Sequence, residues 1–168
     1  MNAKTPAGPA TDVPVAVRDA IARLMTEYAN AIDNDELERW PHFFTEQCLY
    51  QILPRPDYRQ GRPIGIWFCD NRDMLEDRVS SIREVNVYEP HVYRHVISPA
   101  EITGMNNGAW TAQTSYIVVR TMHDGAMQVF SAGRYVDEIE VDGAIARFRK
   151  RIVVPDSPRF DTLVVIPL

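Results

Sequence analysis

Three glycine-containing turns divide the second half of the chain into long runs of strand-forming residues. The turns are Asn-Asn-Gly at 106–108, His-Asp-Gly at 123–125 and Asp-Gly at 142–143. Because Asn-Gly and Asp-Gly pairs readily adopt the positive φ angles of tight hairpin turns, this spacing predicts an antiparallel meander. The predicted strands cover residues 91–98, 110–121, 127–141, 144–154 and 162–167.

The first half of the chain has the spacing of helices. Apolar residues recur every three or four positions from Val17 to Ile32, and the same period returns over 70–83. Helices that precede a set of strands are typical of an α+β domain. We therefore predict a strongly curved sheet wrapped around the N-terminal helices.

Shorter elements connect the two helices. The residues Asp33-Asn34-Asp35 can cap a short helix over 36–44, in which Pro41 predicts a kink. A strand is predicted over 48–53, followed by a loop rich in Pro, Gly and Arg over 55–63.

Charge and cysteine content exclude several classes of protein. The 168 residues include 18 Lys+Arg and 23 Asp+Glu, a formal charge of -5, which argues against a nucleic-acid partner. No apolar run approaches the ~20 residues of a membrane helix. Two cysteines, Cys48 and Cys69, are too few for the disulfide framework of a secreted protein. We predict one cytoplasmic domain over 15–168, preceded by a flexible tail over 1–14.

The strongest grouping of chemically versatile side chains is His91-x-Tyr93-x-His95. On a strand, residues two apart share a face, so the three rings should point the same way. With Asp33 or Asp35, the two histidines could act as general acid and base or as metal ligands in the mouth of a cone-shaped cavity. The alternative is that this face meets another chain or water and the histidines are hydrogen-bonded.

The end of the sequence and its arginines point towards burial against other surfaces. Residues 163–168 carry no charged side chain, so we expect a buried sheet strand there. The strand region is rich in arginine and contains a single lysine, Lys150, which favours a protein interface because the planar guanidinium pairs well with carboxylates. These arginines are Arg134, Arg147, Arg149, Arg151 and Arg159.

Several ordered motifs resemble the small (beta) subunit of Rieske-type aromatic-ring-hydroxylating dioxygenases. The segment 33–50 is similar to the helix–strand signature of that family, and 74–79 and 93–98 are similar to its Asp-Arg helix and its Arg-His strand. Residues 133–137 and the apolar end also match. The resemblance covers residues 15–168 and is greatest to enzymes that act on aromatic carboxylates such as terephthalate, salicylate, benzoate and anthranilate.

The resemblance implies a fold, partners and cofactors. The family fold is the cone-shaped α+β domain of nuclear transport factor 2, with a mixed, mainly antiparallel sheet. The beta subunit would carry no cofactor or metal and would form a trimer beneath three large (alpha) subunits in an α3β3 hexamer. The large subunit would hold a Rieske iron–sulfur cluster (2Fe-2S) and a mononuclear Fe(II), and a separate reductase would use NAD(P)H.

Two hypotheses about the site residues follow. For a structural and assembly subunit without catalytic residues of its own, the interface candidates are Trp40, Arg78, Arg94, His95, Arg134 and Leu168. For a stand-alone dehydratase or isomerase, the catalytic candidates are His91, His95, Tyr50 and Asp33. A small-ligand-binding protein would use the same cavity without turnover.

Overall fold

Seven strands and the helices that cover them account for most of the computed structural model, which describes residues 12–63, 65–85 and 88–168. The helical elements are α1 (Val15–Asp33), a 3-10 helix (Leu37–Phe43), α2 (Arg55–Arg59) and α3 (Arg72–Glu84). The strands are β1 (Phe44–Ile52), β2 (Trp67–Cys69), β3 (His91–Ile97), β4 (Glu101–Asn106), β5 (Ala109–Met122), β6 (Met127–Asp142) and β7 (Ile145–Pro155).

The strands form one mixed sheet in the order β2-β1-β7-β6-β5-β3, with β4 also paired to β5. Only β1 and β7 run parallel, while every other pair is antiparallel. At the β4–β5 turn, Asn107 and Gly108 both have positive φ angles, 48° and 81°, as a tight turn between two strands requires. The predicted α+β class with a mainly antiparallel sheet is confirmed.

Helix α1 supplies the centre of the core. Its apolar stripe, which includes Ile21, Leu24 and Tyr28, is buried as the sequence spacing predicts. The Tyr28 ring contacts the rings of Tyr135 and Phe148 edge-on, at centroid distances of 6.4 Å and 5.5 Å. The curved sheet therefore closes on one face of this helix.

The short helix after α1 differs from the prediction in its cap. It has 3-10 geometry and contains Pro41, and its N-cap residue is Glu36, which makes no side-chain capping bond. The two aspartates that were expected to cap it have other partners. The carboxylate of Asp33 binds His95, and that of Asp35 binds Arg83.

Three other expectations about the chain were wrong. Residues 55–63 were predicted as a loop but begin with α2, because Pro56 lies in the first turn, where its missing N–H has no partner within the helix. The strands β2 and β4 were not predicted, since they are short and lack a period-2 pattern. Residues 162–167 do not form a strand.

The last residues are buried without joining the sheet. Val164, Val165, Ile166 and Leu168 are each at most 7% exposed. Their main-chain groups bond to side chains rather than to a neighbouring strand: the Trp67 indole N–H donates to the Val164 oxygen at 3.0 Å. The expected burial is confirmed, and only the conformation differs. The predicted tail over 1–14 lies outside the described residues up to position 11.

No helix in the described part of the chain is long and apolar enough to cross a membrane. Cys48 and Cys69 are free and buried. Burial raises the pKa of the Cys48 thiol to about 11.

Alkaline pH should unfold the protein through its buried tyrosines. Burial raises the pKa of five of the seven tyrosines above 10, namely Tyr28, Tyr50, Tyr93, Tyr116 and Tyr135. An unfolded tyrosine ionises near pH 10. Because the folded pKa is raised, the stability that these tyrosines contribute is constant below about pH 10 and is lost as pH rises beyond it.

The measurement is urea unfolding at pH 9 and pH 11, with phenolate absorbance followed in parallel. We expect lower stability at pH 11, and phenolate absorbance from these five side chains only as the protein unfolds. Ionisation of all seven tyrosines near pH 10 with the fold intact would contradict the burial described here.

Candidate functional site

The three rings predicted to share a face of β3 do so. Along this strand Tyr93 and His95 are buried and His91 is half-buried, while the intervening Val92 and Arg94 are exposed. The rings therefore face the inside of the curved sheet. Tyr93 and His95 have ring centroids 6.3 Å apart, and His91 and Tyr93 have centroids 5.0 Å apart.

Asp33 and His95 form a buried pair that joins the end of α1 to the edge strand β3. One carboxylate oxygen of Asp33 lies 2.6 Å from Nδ1 of His95, and the other accepts the main-chain N–H of His95 at 2.8 Å. The side chains are 2% and 0% exposed. The Asp33 carboxylate thus satisfies a ring nitrogen and an otherwise unpaired edge N–H at once. Nε2 of His95 is buried and has no partner among the described residues.

His91 lies beside this pair in a small pocket. Its Nδ1 is 2.8 Å from the main-chain oxygen of Glu89. The pocket has a volume of about 280 Å³, and its lining includes Asp33, His91, Tyr93 and Ile166. His95 is not among the residues that line it.

Asp35 and Tyr50 face other partners. The Asp35 carboxylate lies at the surface, 2.8 Å from Arg83. The Tyr50 hydroxyl lies 3.2 Å from the main-chain oxygen of Leu168 and 3.1 Å from its nitrogen. Of the residues proposed for acid–base chemistry, Asp33 and His95 are therefore in contact and His91 lies beside them. The Tyr50 hydroxyl instead contacts the main chain of Leu168.

A second buried charge pair was not predicted. Arg151 was expected with the other strand arginines at an interface, but it is 0% exposed and donates to both Asp137 oxygens, at 2.9 Å and 2.8 Å. Its guanidinium carbon lies 4.3 Å, 4.1 Å and 3.8 Å from the ring centroids of Tyr28, Tyr135 and Phe148. Phe148 and Arg151 are both buried although they lie three positions apart, because the β6–β7 pairing is irregular between Glu138 and Ile139, so the alternation of the sequence does not indicate this burial.

The donor set of the chain does not fit an iron–sulfur cluster or a mononuclear metal. Within residues 12–63, 65–85 and 88–168, no three His, Cys, Asp or Glu side chains are grouped so as to hold a metal ion. A Rieske cluster needs two Cys and two His ligands, and both cysteines here are buried hydrophobic-core residues.

The interface candidates divide into exposed and buried residues. Arg78, Arg94 and Arg134 are exposed, whereas Trp40 and Leu168 are 0% exposed and His95 is 8% exposed. The Arg78 guanidinium lies 4.7 Å from the ring centroid of Trp67. The three arginines can therefore contact a partner directly. The three buried residues can affect an interface only by holding the surface residues in position.

The outer face of the sheet carries a cluster of exposed aliphatic side chains, called the outer patch. Its members are Val92, Val96, Ile117 and Val129, which are 59%, 58%, 43% and 65% exposed. Val96 lies opposite Ile117 across the β3–β5 pair. Another part of the outer face is covered by the segment around α2, where Leu53 packs with Ile152 and Val154. Exposed apolar clusters of this kind mark protein interfaces.

Replacing Asp33 with alanine should destabilise the fold. The substitution leaves the ring N–H and main-chain N–H of His95 buried and unpaired, which should cost about 2–4 kcal/mol. In the control variant Asp35→Asn, the charge of an exposed ion pair is lost while a residue that tolerates the φ of 59° is kept, and the cost should stay below about 1 kcal/mol. Urea unfolding of both variants is the measurement. Equal stabilities would show that the Asp33–His95 pair does not hold α1 to β3.

Comparison with known proteins identifies the family. The family model described as "Ring hydroxylating beta subunit" matches residues 27–160. The anthranilate 1,2-dioxygenase small subunit of Burkholderia cepacia is 39% identical over 148 residues, covering 88% of this chain and 92% of the relative. Subunit beta 1 of the terminal oxygenase component of terephthalate 1,2-dioxygenase from Comamonas sp is 40% identical over 149 residues, covering 88% and 96%.

Solved structures agree in fold. A protein from Novosphingobium aromaticivorans, described as the beta subunit of an aromatic-ring-hydroxylating dioxygenase, superposes with a TM-score of 0.81 at 34% identity, covering 90% of this chain and 97% of that one. A protein from the same organism, described as a scytalone dehydratase, has a TM-score of 0.60 at 16% identity, covering 79% of each chain, and supports the cone-shaped fold alone. The chain belongs to the family of ring-hydroxylating dioxygenase beta subunits.

Proposed function

We propose that this chain is the structural small subunit of an aromatic-ring-hydroxylating dioxygenase that adds O2 to an aromatic carboxylate during aromatic catabolism. Its family supports the first part of the proposal. The names of its relatives support the second, because one is part of an anthranilate dioxygenase and another of a terephthalate dioxygenase.

The filled interior is the observation that carries the assignment of a structural role. Residues 164–168 occupy the inside of the curved sheet, and Tyr28 and Tyr50 bind the last of them. The side chain of His95, the best acid–base candidate, is fully buried. A general acid or base must come within hydrogen-bond distance of its substrate. The interior packing favours support of a partner over chemistry in this chain.

The redox chemistry then belongs to the partner. We propose that the large subunit carries the Rieske cluster and the mononuclear Fe(II), and that a separate reductase transfers electrons to it from NAD(P)H. The assembly would be a cytoplasmic α3β3 hexamer with a trimer of small subunits. The donor set of this chain, which fits neither metal site, is consistent with that division.

The outer patch and the exposed arginines are the proposed contact surface. Val96 and Ile117 lie side by side on adjacent strands, and Arg94, between Val92 and Val96 along β3, has a side chain that is 65% exposed. Permanent interfaces combine an apolar centre with arginine. Arg134, opposite Ser115 on the neighbouring strand, extends the same outer face.

Val96→Asp should prevent assembly. A carboxylate at the centre of an apolar interface would lose its water without gaining a partner, which costs several kcal/mol. After co-expression with its large subunit, the variant should co-purify at least about tenfold less well than the unsubstituted chain. This factor corresponds to a loss of more than ~1.4 kcal/mol of binding free energy. The matched control is Val85→Asp, since Val85 is 72% exposed at the C-cap of α3 and is not a member of the outer patch.

Equal recovery of the two variants with the large subunit would contradict the proposed contact surface. The role in assembly has a separate test. An isolated chain that stays monomeric and never co-purifies with an iron–sulfur protein would contradict the proposed function itself.

A second candidate function rests on one observation, the unpartnered Nε2 of the buried His95 beside Asp33. A stand-alone dehydratase or isomerase would use this nitrogen as its base. It requires turnover of a small cyclic substrate by the purified chain alone, with activity lost in His95→Ala. Activity confined to the assembled oxygenase, and retained there by His95→Ala, would exclude it.

A further inference from the structure

The main-chain oxygen of Leu168 lies in a buried cluster of hydrogen-bond donors. The hydroxyl of Tyr28 donates to it at 2.8 Å, and the hydroxyl of Tyr50 lies at 3.2 Å. All three residues are at most 1% exposed. Burial raises the pKa of the Tyr28 hydroxyl, and the charge of Arg151, whose guanidinium carbon lies 4.3 Å from the centroid of the Tyr28 ring, opposes the rise.

Two of the nearby donors have no acceptor. Trp40 Nε1 and Arg151 Nη1 are buried, and neither has a hydrogen-bond partner in the part of the chain that the structure describes. Both residues are 0% exposed. Because an unpaired buried donor costs about 1–3 kcal/mol, an added acceptor that reached these two groups would gain their hydrogen bonds.

Aromatic rings surround these donors. Trp40 packs edge-on against Tyr50 and Trp67, with centroid distances of 5.1 Å and 6.1 Å, and Tyr50 and Trp67 are 6.0 Å apart. Tyr28, Trp40, Tyr50 and Trp67 are called the aromatic box. Trp67 also holds the segment, through its 3.0 Å bond to the Val164 oxygen. The box therefore combines apolar ring faces with oxygen-binding donors.

We propose that the aromatic box is a binding site for a small aromatic carboxylate, and that residues 164–168 occupy it as an intramolecular ligand. Aromatic walls pack against a flat ring, and hydroxyl, indole and guanidinium donors bind carboxylate oxygens. Asp137 balances the charge of Arg151, so the site offers hydrogen bonds rather than net positive charge. The site is distinct from any assembly role, since it faces the interior and not the outer patch.

The segment packs in the interior but is not part of the sheet. Leu163, immediately before it, is 78% exposed, and residues 162–168 form no strand. The hydrogen bonds that hold its main chain come from side chains of the aromatic box. Segments bound in this way open at a free energy below that of global unfolding. The apparent affinity for an external ligand is then the intrinsic affinity multiplied by the fraction of molecules in which the segment is displaced.

Val165→Asp in the full chain tests this proposal. Val165 is 7% exposed, so a carboxylate there should drive the segment out of the interior. Titration with benzoate, followed by tryptophan fluorescence and calorimetry, should show binding at least about tenfold tighter than in the unsubstituted chain. The control Leu163→Asp places the same charge on an exposed position of the same segment and should bind benzoate like the unsubstituted chain.

Two further results decide the proposal if Val165→Asp fails to fold. Leu168→Ala removes apolar contacts but no hydrogen bond, and it should increase benzoate affinity in the same direction. In the unsubstituted chain, saturating benzoate should speed hydrogen exchange at the amides of residues 164–168 and leave the β5–β6 amides unchanged. Exchange that benzoate does not alter, or toluene binding as tight as benzoate binding, would overturn the proposal.

Discussion

The buried ion pair between Arg151 and Asp137 is the interaction on which the interior depends. It joins β6 to β7, and the Arg151 guanidinium lies over rings from α1, β6 and β7. A buried charge is stable only when it is paired and hydrogen-bonded, and removing one partner costs several kcal/mol. This pair therefore fixes the position of Tyr28 against the sheet, and Tyr28 in turn binds the oxygen of Leu168. The centre of the fold and the packing of its last residues are one connected set of contacts.

That connection explains how a fold shared with small enzymes can serve a structural role. The inside of the sheet is filled by the chain itself, whereas the outer face keeps a cluster of exposed aliphatic residues beside Arg94. Contacts that hold the interior closed also hold the sheet in the curvature that presents the outer patch. The Asp33–His95 pair contributes at the edge, because one carboxylate fixes both the ring and the main chain of β3 to α1. A pair that resembles catalytic machinery thus has a structural explanation.

Much of this architecture could be predicted from the sequence, because it depends on local patterns. The period of α1, the hairpin turns and the shared face of His91 and His95 follow from spacing alone. Asp33 or Asp35 was expected beside the two histidines, but the choice between the two aspartates could not be predicted, because 62 residues separate Asp33 from His95. Burial of the last residues followed from their composition, but their conformation did not, since side-chain donors such as Trp67 satisfy the main chain in place of a strand. Arg151 was misplaced for a similar reason: its pairing with Asp137 depends on the register of two strands.

The most direct test of the central claim is native mass spectrometry of the chain co-expressed with its large subunit, combined with a turnover assay on an aromatic carboxylate. We expect a complex with three copies of each subunit. Ring hydroxylation should occur only when the large subunit and the reductase are present. Turnover of a small cyclic substrate by the isolated chain, or a chain that forms no complex with the large subunit, would contradict it.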